Sequence, residues 1–383
     1  MKNKKIKPLT KFFFSLVFLI GGGGLLLENS DDLKTLEKSK DPVIYSSQCK
    51  DNVRGVLCHS MRKAANSIFV RIYNLSDEWI IDTLHRKASE KVPVRLHYYQ
   101  LKNEKNFSQI HPNIQAFPFL TSNQRNSLMH IKTTVVDNST VWIGSANYTV
   151  DSLDLDSNLT IGIRSHELSD LVIKNSSGTC FVNNKQIDYF TFPEDSDRGL
   201  KQILALINDS KRSIKVGMFA LTEPSLLGAL YEAYKRGIDT QIIIDKSYAA
   251  LTKQTLTSEC HYSSDMPIWV KTSRYKLHHK FAWIDDSILI SGSANWSRNG
   301  FHNNVENILI LHDLTSQQNK KMLNIWNHLS ANKTPMEEYL KVTKNCFGEM
   351  INRGGKKSKN CIDKRSLAPS LTFLENYYSD LAA

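Results

Sequence analysis

None of the six cysteines (Cys49, Cys58, Cys180, Cys260, Cys346 and Cys361) stands in a CxxC pair. That argues against a zinc ribbon and against a thioredoxin-like redox site. Acidic residues are short: 38 Asp and Glu against 49 Lys and Arg, a formal net charge of +11. A basic excess of this size points to anionic partners, whether nucleic acid, acidic lipid or another phosphate ester. Long apolar runs are scarce too. Phe12 to Leu27 is apolar apart from Ser15 and contains four consecutive glycines, yet 16 residues is short for a relaxed membrane span. No clear small-x-small cleavage site follows it. With Lys2, Lys4, Lys5, Lys7 and Lys11 ahead of it, the run has the layout of a signal sequence or an uncleaved N-terminal anchor. The positive flank keeps the N-terminus in the cytoplasm and sends the rest across, so the chain is expected to be exported or membrane-anchored, with its catalytic part outside the cytoplasm and beside a membrane surface. In an exported chain the even cysteine count permits disulfides, Cys49–Cys58 and Cys346–Cys361 being nearest in sequence; free buried thiols are the alternative.

What is present is ordinary for a globular protein of 383 residues, with 41% hydrophobic and 23% charged residues. Its organisation is a repeat. Val53–Ala65 has helical apolar spacing, Ser67–Tyr73 (SIFVRIY) alternates as a strand, Ser76 can cap a helix to about Ser89, and Val92–Tyr98 reads as a further strand. The same order returns. Gly199–Ile207 is helical, Ser213–Phe219 (SIKVGMF) is a strand, Pro224 opens a helix that Gly237 closes, and Ile238–Asp245 is the next strand. Alternating helices and strands predict an α/β fold of two similar mixed-sheet lobes about a pseudo-twofold axis. The chain divides into residues 1–27 (signal or anchor), 28–43 (linker), 44–170 (first lobe), 195–315 (second lobe) and 316–383 (a helical, then basic tail).

The chemistry lies in a second repeat. His130-x-Lys132, Asp137 and Gly144-Ser145-x-Asn147 recur with identical spacing as His278-x-Lys280, Asp285 and Gly292-Ser293-x-Asn295. With each residue type at roughly 5%, six fixed positions recur at about one start in 10^8. The histidine offset is 148 residues, and SIFV and SIKV lie 146 apart, so motif and framework were duplicated together. Residues two apart on a strand share a face, so each histidine projects with its lysine. The glycine lets backbone approach a ligand, and Ser145, Asn147, Ser293 and Asn295 are placed to meet phosphoryl oxygens. Two lobes closing on one phosphate would surround it with two histidines, two lysines and two asparagines. One histidine would attack phosphorus and the other would carry the proton, with lysines supplying positive charge in place of a metal; no metal and no cofactor are expected. With both histidines near their ordinary pKa, the expected pH profile is bell-shaped around neutrality.

This double pattern resembles the phospholipase D superfamily from about Ile44 to Leu311. The resemblance implies paired mixed-sheet lobes, a covalent phosphohistidine on His130, His278 as acid and base, and supporting roles for Asp137 and Asp285. It also implies a histidine-orienting glutamate in an Asn-x-Glu element, here Asn304-x-Glu306. The matching positions of the first copy are Asp156 and Asn158, so that copy lacks the glutamate. Asn158 could accept a ring N–H in its place, or Asp156 could substitute, and this departure bears on the poise of His130. Tyr148 and Trp296, next to the asparagines, could shape substrate entry or simply pack. His279 is expected to be structural.

The leading substrate is a phospholipid headgroup phosphodiester, given the apolar N-terminus and basic surface. The alternative is a nuclease acting on nucleic acid, with binding that weakens steeply with salt. Transfer of a phosphatidyl group to an alcohol, as in cardiolipin synthesis, and an inactive phosphate-binding module complete the set.

Overall fold

The computed structural model describes residues 35–99, 113–119, 127–260 and 266–352, with side chains as far as Lys344. The apolar run Phe12–Leu27, Cys361 and the end of the basic tail lie outside these residues, and the signal or anchor reading lies outside with them. Among the described residues no helix is long and apolar enough to cross a membrane. Cys49, Cys58, Cys180 and Cys260 are free thiols, so Cys49 and Cys58 are not joined.

The first sheet has seven strands: β1 (Val43–Tyr45), β2 (Ile68–Ile72), β3 (Val94–Tyr99), β4 (Ile114–Phe119), β5 (Lys132–Val136), β6 (Thr140–Gly144) and β7 (Thr160–Arg164). They lie in the order β1-β7-β6-β5-β2-β3-β4. The second has nine: β8 (Gly178–Val182), β9 (Lys185–Phe192), β10 (Ser213–Met218), β11 (Asp239–Asp245), β12 (Ile268–Lys271), β13 (Lys280–Ile284), β14 (Ile288–Gly292), β15 (Glu306–Leu311) and β16 (Lys333–Pro335). Their order is β16-β12-β11-β10-β13-β14-β15-β9-β8. In each sheet three strands run parallel, β2-β3-β4 and β10-β11-β12, and the remaining pairs are antiparallel. The fold is therefore α/β, with two mixed-sheet lobes whose central strands correspond one to one.

The strands are apolar on both faces because both faces are covered. In β2, Ile68, Val70 and Ile72 meet the helices Val53–Arg62 and Glu78–Ser89. Phe69 points the other way, into a core shared between the sheets by Val135, Val141 and Ile143 of one lobe and Ile243, Phe281, Trp283 and Leu309 of the other. Each such side chain contributes roughly 1.5–3 kcal/mol by leaving water, which makes the contact between lobes a core and not a hinge.

Three features depart from the sequence expectation. Asp77, not Ser76, caps its helix, accepting from Ile80 N at 3.2 Å. The hairpin β8-β9, which falls between the two expected lobes, extends the second sheet by pairing with β15. The helix Ser316–Ser330, assigned to the tail, buries Met322, Ile325, Trp326 and Leu329 in the core between the sheets. Tyr148 and Trp296 are core residues; the Tyr148 hydroxyl bonds Thr134 Oγ1 at 2.6 Å.

The motif glycines also serve the fold. A Cβ on Gly144 would stand 2.2 Å from Leu159 O, and one on Gly292 would stand 2.4 Å from Asn307 O. They admit the neighbouring strand, not a ligand as the sequence suggested. Both obstacles are backbone and cannot rotate away. Gly144→Ala is accordingly expected to destabilise the protein by about 1–3 kcal/mol, read as a lowered thermal midpoint; a midpoint equal to wild type would refute the close approach.

Candidate active site

Strand β5 begins at Lys132 and β13 at Lys280, and each histidine stands two residues earlier on the same extended run. Lys132 Nζ donates to His130 O at 2.5 Å, and Lys280 Nζ to His278 O at 2.7 Å. An aromatic ring sits against each pair. Tyr73 lies 5.0 Å from the His130 ring, with Lys132 Nζ 5.1 Å from its centroid. Phe219 lies 5.0 Å from the His278 ring, with Lys280 Nζ 5.0 Å from its own centroid. These two rings were missed from the sequence, where they read only as strand ends. The signal was there: each is the last residue of the repeated strand, SIFVRIY and SIKVGMF.

The lobes exchange partners at the histidines. Met129 bridges Val305, and Ser157 bridges Leu277. His130 N donates to Val305 O at 2.8 Å, and His278 N to Ser157 O at 2.9 Å. The side chains follow their backbones: His130 Nδ1 meets Glu306 Oε1 at 2.7 Å, and His278 Nδ1 meets Asn158 Oδ1 at 2.9 Å. Each ring is thus held by the opposite lobe. This reverses the pairing expected within each copy: His130 has the carboxylate and His278 the amide. Asp156 does not reach a histidine. Its Oδ1 accepts from Lys276 N at 3.1 Å, as Asn304 Oδ1 accepts from Leu128 N at 3.1 Å. Both residues tie down the chain just ahead of the other lobe's histidine. Asn158 Nδ2 donates to Ser152 O at 2.9 Å, which turns Oδ1 toward the ring and makes His278 Nδ1 the donor. In both rings Nε2 is then the atom left for chemistry.

Ser145 and Ser293 stand behind this arrangement. Ser145 Oγ donates to Asn158 Oδ1 at 2.8 Å and Ser293 Oγ to Glu306 Oε2 at 2.5 Å. Both serines are fully buried, so their hydroxyls steady the orienting groups and are not presented to phosphate. Asn147 and Asn295 differ: the Oδ1 atom of each is buried without a partner. A half-turn of an amide exchanges O and N, so either side chain can offer N–H to a ligand oxygen from this unfilled position. His279, on the other side of the strand, is buried and meets Gln48 Oε1 through Nε2 at 2.7 Å.

Asp137 and Asp285 hold the far ends of their strands. Asp137 accepts from the backbone N–H groups of Ala65, Asn66 and Ser67, and Asp285 from those of Lys211, Arg212 and Ser213. Partial burial raises both pKa values, but these backbone donors outweigh it and hold each carboxyl below its ordinary range.

A family model described as "Cardiolipin synthase, PLD-like domain" matches residues 57–177 and 203–329, one stretch in each lobe. The mitochondrial cardiolipin hydrolase of Xenopus laevis is 28% identical over 160 residues, 41% of this chain and 70% of that protein. A phospholipase D of Rickettsia prowazekii is 24% identical over 144 residues, 34% of this chain and 69% of that protein. The chain spans about half the length of other cardiolipin hydrolases it matches. Among solved structures, phosphatidylserine synthase from Haemophilus influenzae superposes with a TM-score of 0.65, covering 92% of this chain and 99% of that one, at 13% identity. That likeness is of fold.

The site is rich in buried cationic groups. Two lysines and two histidines are buried together; Glu306 is in contact with His130, and Glu306, Asp245 and Asp156 all act on Lys280. Burial pushes His130 down to about 4, with Glu306 opposing and Lys132 adding to the fall. His278 is held well below its ordinary value by burial, Lys280, Lys132 and His130. Burial also pushes Lys132 down to about 7, against the pull of Glu306, and holds Lys280 well below its usual range, with Lys132 adding to the effect. Both lysines would be easier to protonate in the unfolded chain, so they destabilise the fold at neutral pH. Lys280→Met should stabilise the protein by about 1–2 kcal/mol, measured by thermal unfolding. The gain should be greatest at low pH and shrink as pH rises toward the unfolded lysine value, about 10.4. A variant less stable than wild type at every pH would contradict this account.

Proposed function

The chain belongs to the phospholipase D-like family, and on that premise we propose that it is a phosphodiesterase hydrolysing phospholipid headgroup phosphodiesters through a covalent phosphohistidine, with no metal in the reaction. The observation that carries this is the gathering of two buried lysines and two buried histidines at the junction of the lobes. Both lysines are held below their ordinary range, and an anionic phosphodiester among these groups would favour their charged forms. The lipid substrate is supported by relatives that carry the names cardiolipin hydrolase and phospholipase D.

In the first step His130 Nε2 attacks phosphorus. An N–P bond forms as the P–O bond to the leaving alcohol breaks, and His278 gives its proton to that oxygen. In the second, His278 takes a proton from water, whose oxygen attacks phosphorus, and the N–P bond returns its electron pair to His130. The products are a phosphomonoester and an alcohol. The exchanged partners suit these roles. Glu306 stabilises the positive charge that the His130 ring gains on attack. Asn158 is neutral, so the His278 imidazolium keeps a readily donated proton. Protonation of His278 draws on the bound diester's charge, because the empty pocket disfavours it. Lys132, Lys280, Asn147 and Asn295 surround the oxygens.

The direct test assays the full chain with EDTA and mixed anionic and zwitterionic vesicles, beside His130→Asn. Phosphatidic acid released only by the wild type is the expected result. None across about pH 5 to 8 would overturn the lipid reading and make single-stranded DNA the next substrate.

The pKa shifts move the profile away from the symmetric bell at neutrality that two ordinary histidines would give. For a soluble diester, kcat/KM should peak below neutrality and fall as pH rises through about 7, where Lys132 loses its proton. Glu306→Gln removes the charge that raises the His130 pKa. Its acid limb should move to lower pH, and kcat should fall about 10- to 100-fold. An unshifted acid limb in that variant would rule out Glu306 as the group that sets His130.

A further inference from the structure

Because the lobes are copies, each residue at the centre has a counterpart that serves as an internal control. The register fixes the correspondence. Across β2-β3-β4, Ile72 pairs with Tyr98, and Tyr99 with Phe119. Across β10-β11-β12, Met218 pairs with Ile244, and Asp245 with Lys271. The row that starts at each ring beside a histidine therefore reads Tyr73, Tyr99, Phe119 in the first lobe and Phe219, Asp245, Lys271 in the second.

In the second lobe the outer two members are used by the fold. Asp245 accepts from Leu277 N at 2.8 Å and Ser247 N at 2.9 Å. Lys271 Nζ donates to the carbonyls of His328 and Leu329 at 2.8 and 3.0 Å, at the end of the helix Ser316–Ser330. In the first lobe the same positions carry rings in sequence. Tyr73 lies 5.0 Å from His130, Tyr99 lies 5.1 Å from Tyr73, and Phe119 lies 6.5 Å from Tyr99. All three are partly exposed.

We propose that Tyr73, Tyr99 and Phe119 form a subsite, continuous with the catalytic pocket, that takes the glycerol and proximal acyl portion of a phospholipid on the His130 side. The inference rests on the phospholipid reading above and names the part of the substrate that the row selects. Rings with an apolar face and, in the tyrosines, a hydroxyl suit the boundary between ester and acyl chain. A nucleic acid leaving in this direction would present another phosphate within a nucleotide's length, and among the described residues the row carries no lysine or arginine to meet it. The nucleophilic and acid–base chemistry stays at the histidines; the row decides which diester is held there.

The test compares long-chain phosphatidylglycerol in vesicles with methyl 4-nitrophenyl phosphate, a soluble diester without acyl chains. Two double variants of the full chain are used: Tyr99→Ala with Phe119→Ala, and Tyr99→Asp with Phe119→Lys, which copies residues the second lobe already holds at these register positions. The expected result is a fall of about tenfold or more in the ratio of kcat/KM for lipid over soluble diester, carried mainly by KM. An unchanged ratio in both variants, through equal losses on both substrates or through no loss, would overturn the subsite while leaving the lipid hydrolase standing. A wild type that cleaves the soluble diester and single-stranded DNA but no phospholipid would overturn the functional reading and the subsite together.

Discussion

Everything at the centre depends on one exchange: each histidine is fixed by a side chain of the opposite lobe. The His130–Glu306 and His278–Asn158 bonds ride on two short parallel bridges, Met129 with Val305 and Ser157 with Leu277. Neither lobe alone can orient its own ring. The bridges in turn need the lobes at a fixed separation, and the apolar core between the sheets sets it. Phe281 and Trp283 on one side and Val141 and Ile143 on the other leave no room for sliding. The site is therefore complete only where the two lobes are packed together.

That core also explains how the pocket tolerates its charges. A buried lysine without a full counter-charge opposes folding; burial lowers the pKa of both, and Lys132 lowers that of Lys280 further. The opposition is offset elsewhere, by two helix-covered sheets and the large interface between them. Among the described residues each lysine Nζ bonds a backbone carbonyl and lies against an aromatic face, while the carboxylates act on it from a distance. Such partners hold a cation in place without neutralising it, so the field is left for a ligand anion to satisfy. The site is prepared for a charge that the protein does not itself supply.

Much of this was legible in the sequence, because duplication writes each feature twice. The strands around SIFVRIY and SIKVGMF, the histidine–lysine pairs and the two-lobe α/β fold all follow from period and spacing. Partner exchange was not legible. Within each copy Asn158 and Glu306 stand at the same distance from their own histidine, and nothing local says that the chain crosses to the other lobe. The serines misled for a related reason: Ser145 and Ser293 sit beside Asn147 and Asn295, yet strand pleating turns them inward onto Asn158 and Glu306. Gly144 and Gly292 read as ligand clearance, whereas it is the neighbouring strand that they admit. The β8-β9 hairpin escaped notice because the repeat offers no second copy to reveal it.

The departures from symmetry matter most once the symmetric frame is known. A scaffold of two equal halves would give two equal histidines, and the two-step chemistry proposed above needs unequal ones. The inequality is introduced at few positions. Glu306 against Asn158 makes one ring the better carrier of positive charge and the other the better proton donor. Tyr99 against Asp245 and Phe119 against Lys271 make one flank aromatic and the other a structural tie. Both differences favour the same side. On this reading the ring that binds phosphorus covalently also borders the surface that holds the retained part of the substrate. The half that releases the leaving group has its equivalent row closed by Asp245, Lys271 and the helix end. A leaving alcohol on that side would meet a proton donor and a shorter aromatic surface, Phe219 with Tyr248, while the phosphorylated intermediate would be held by the longer row.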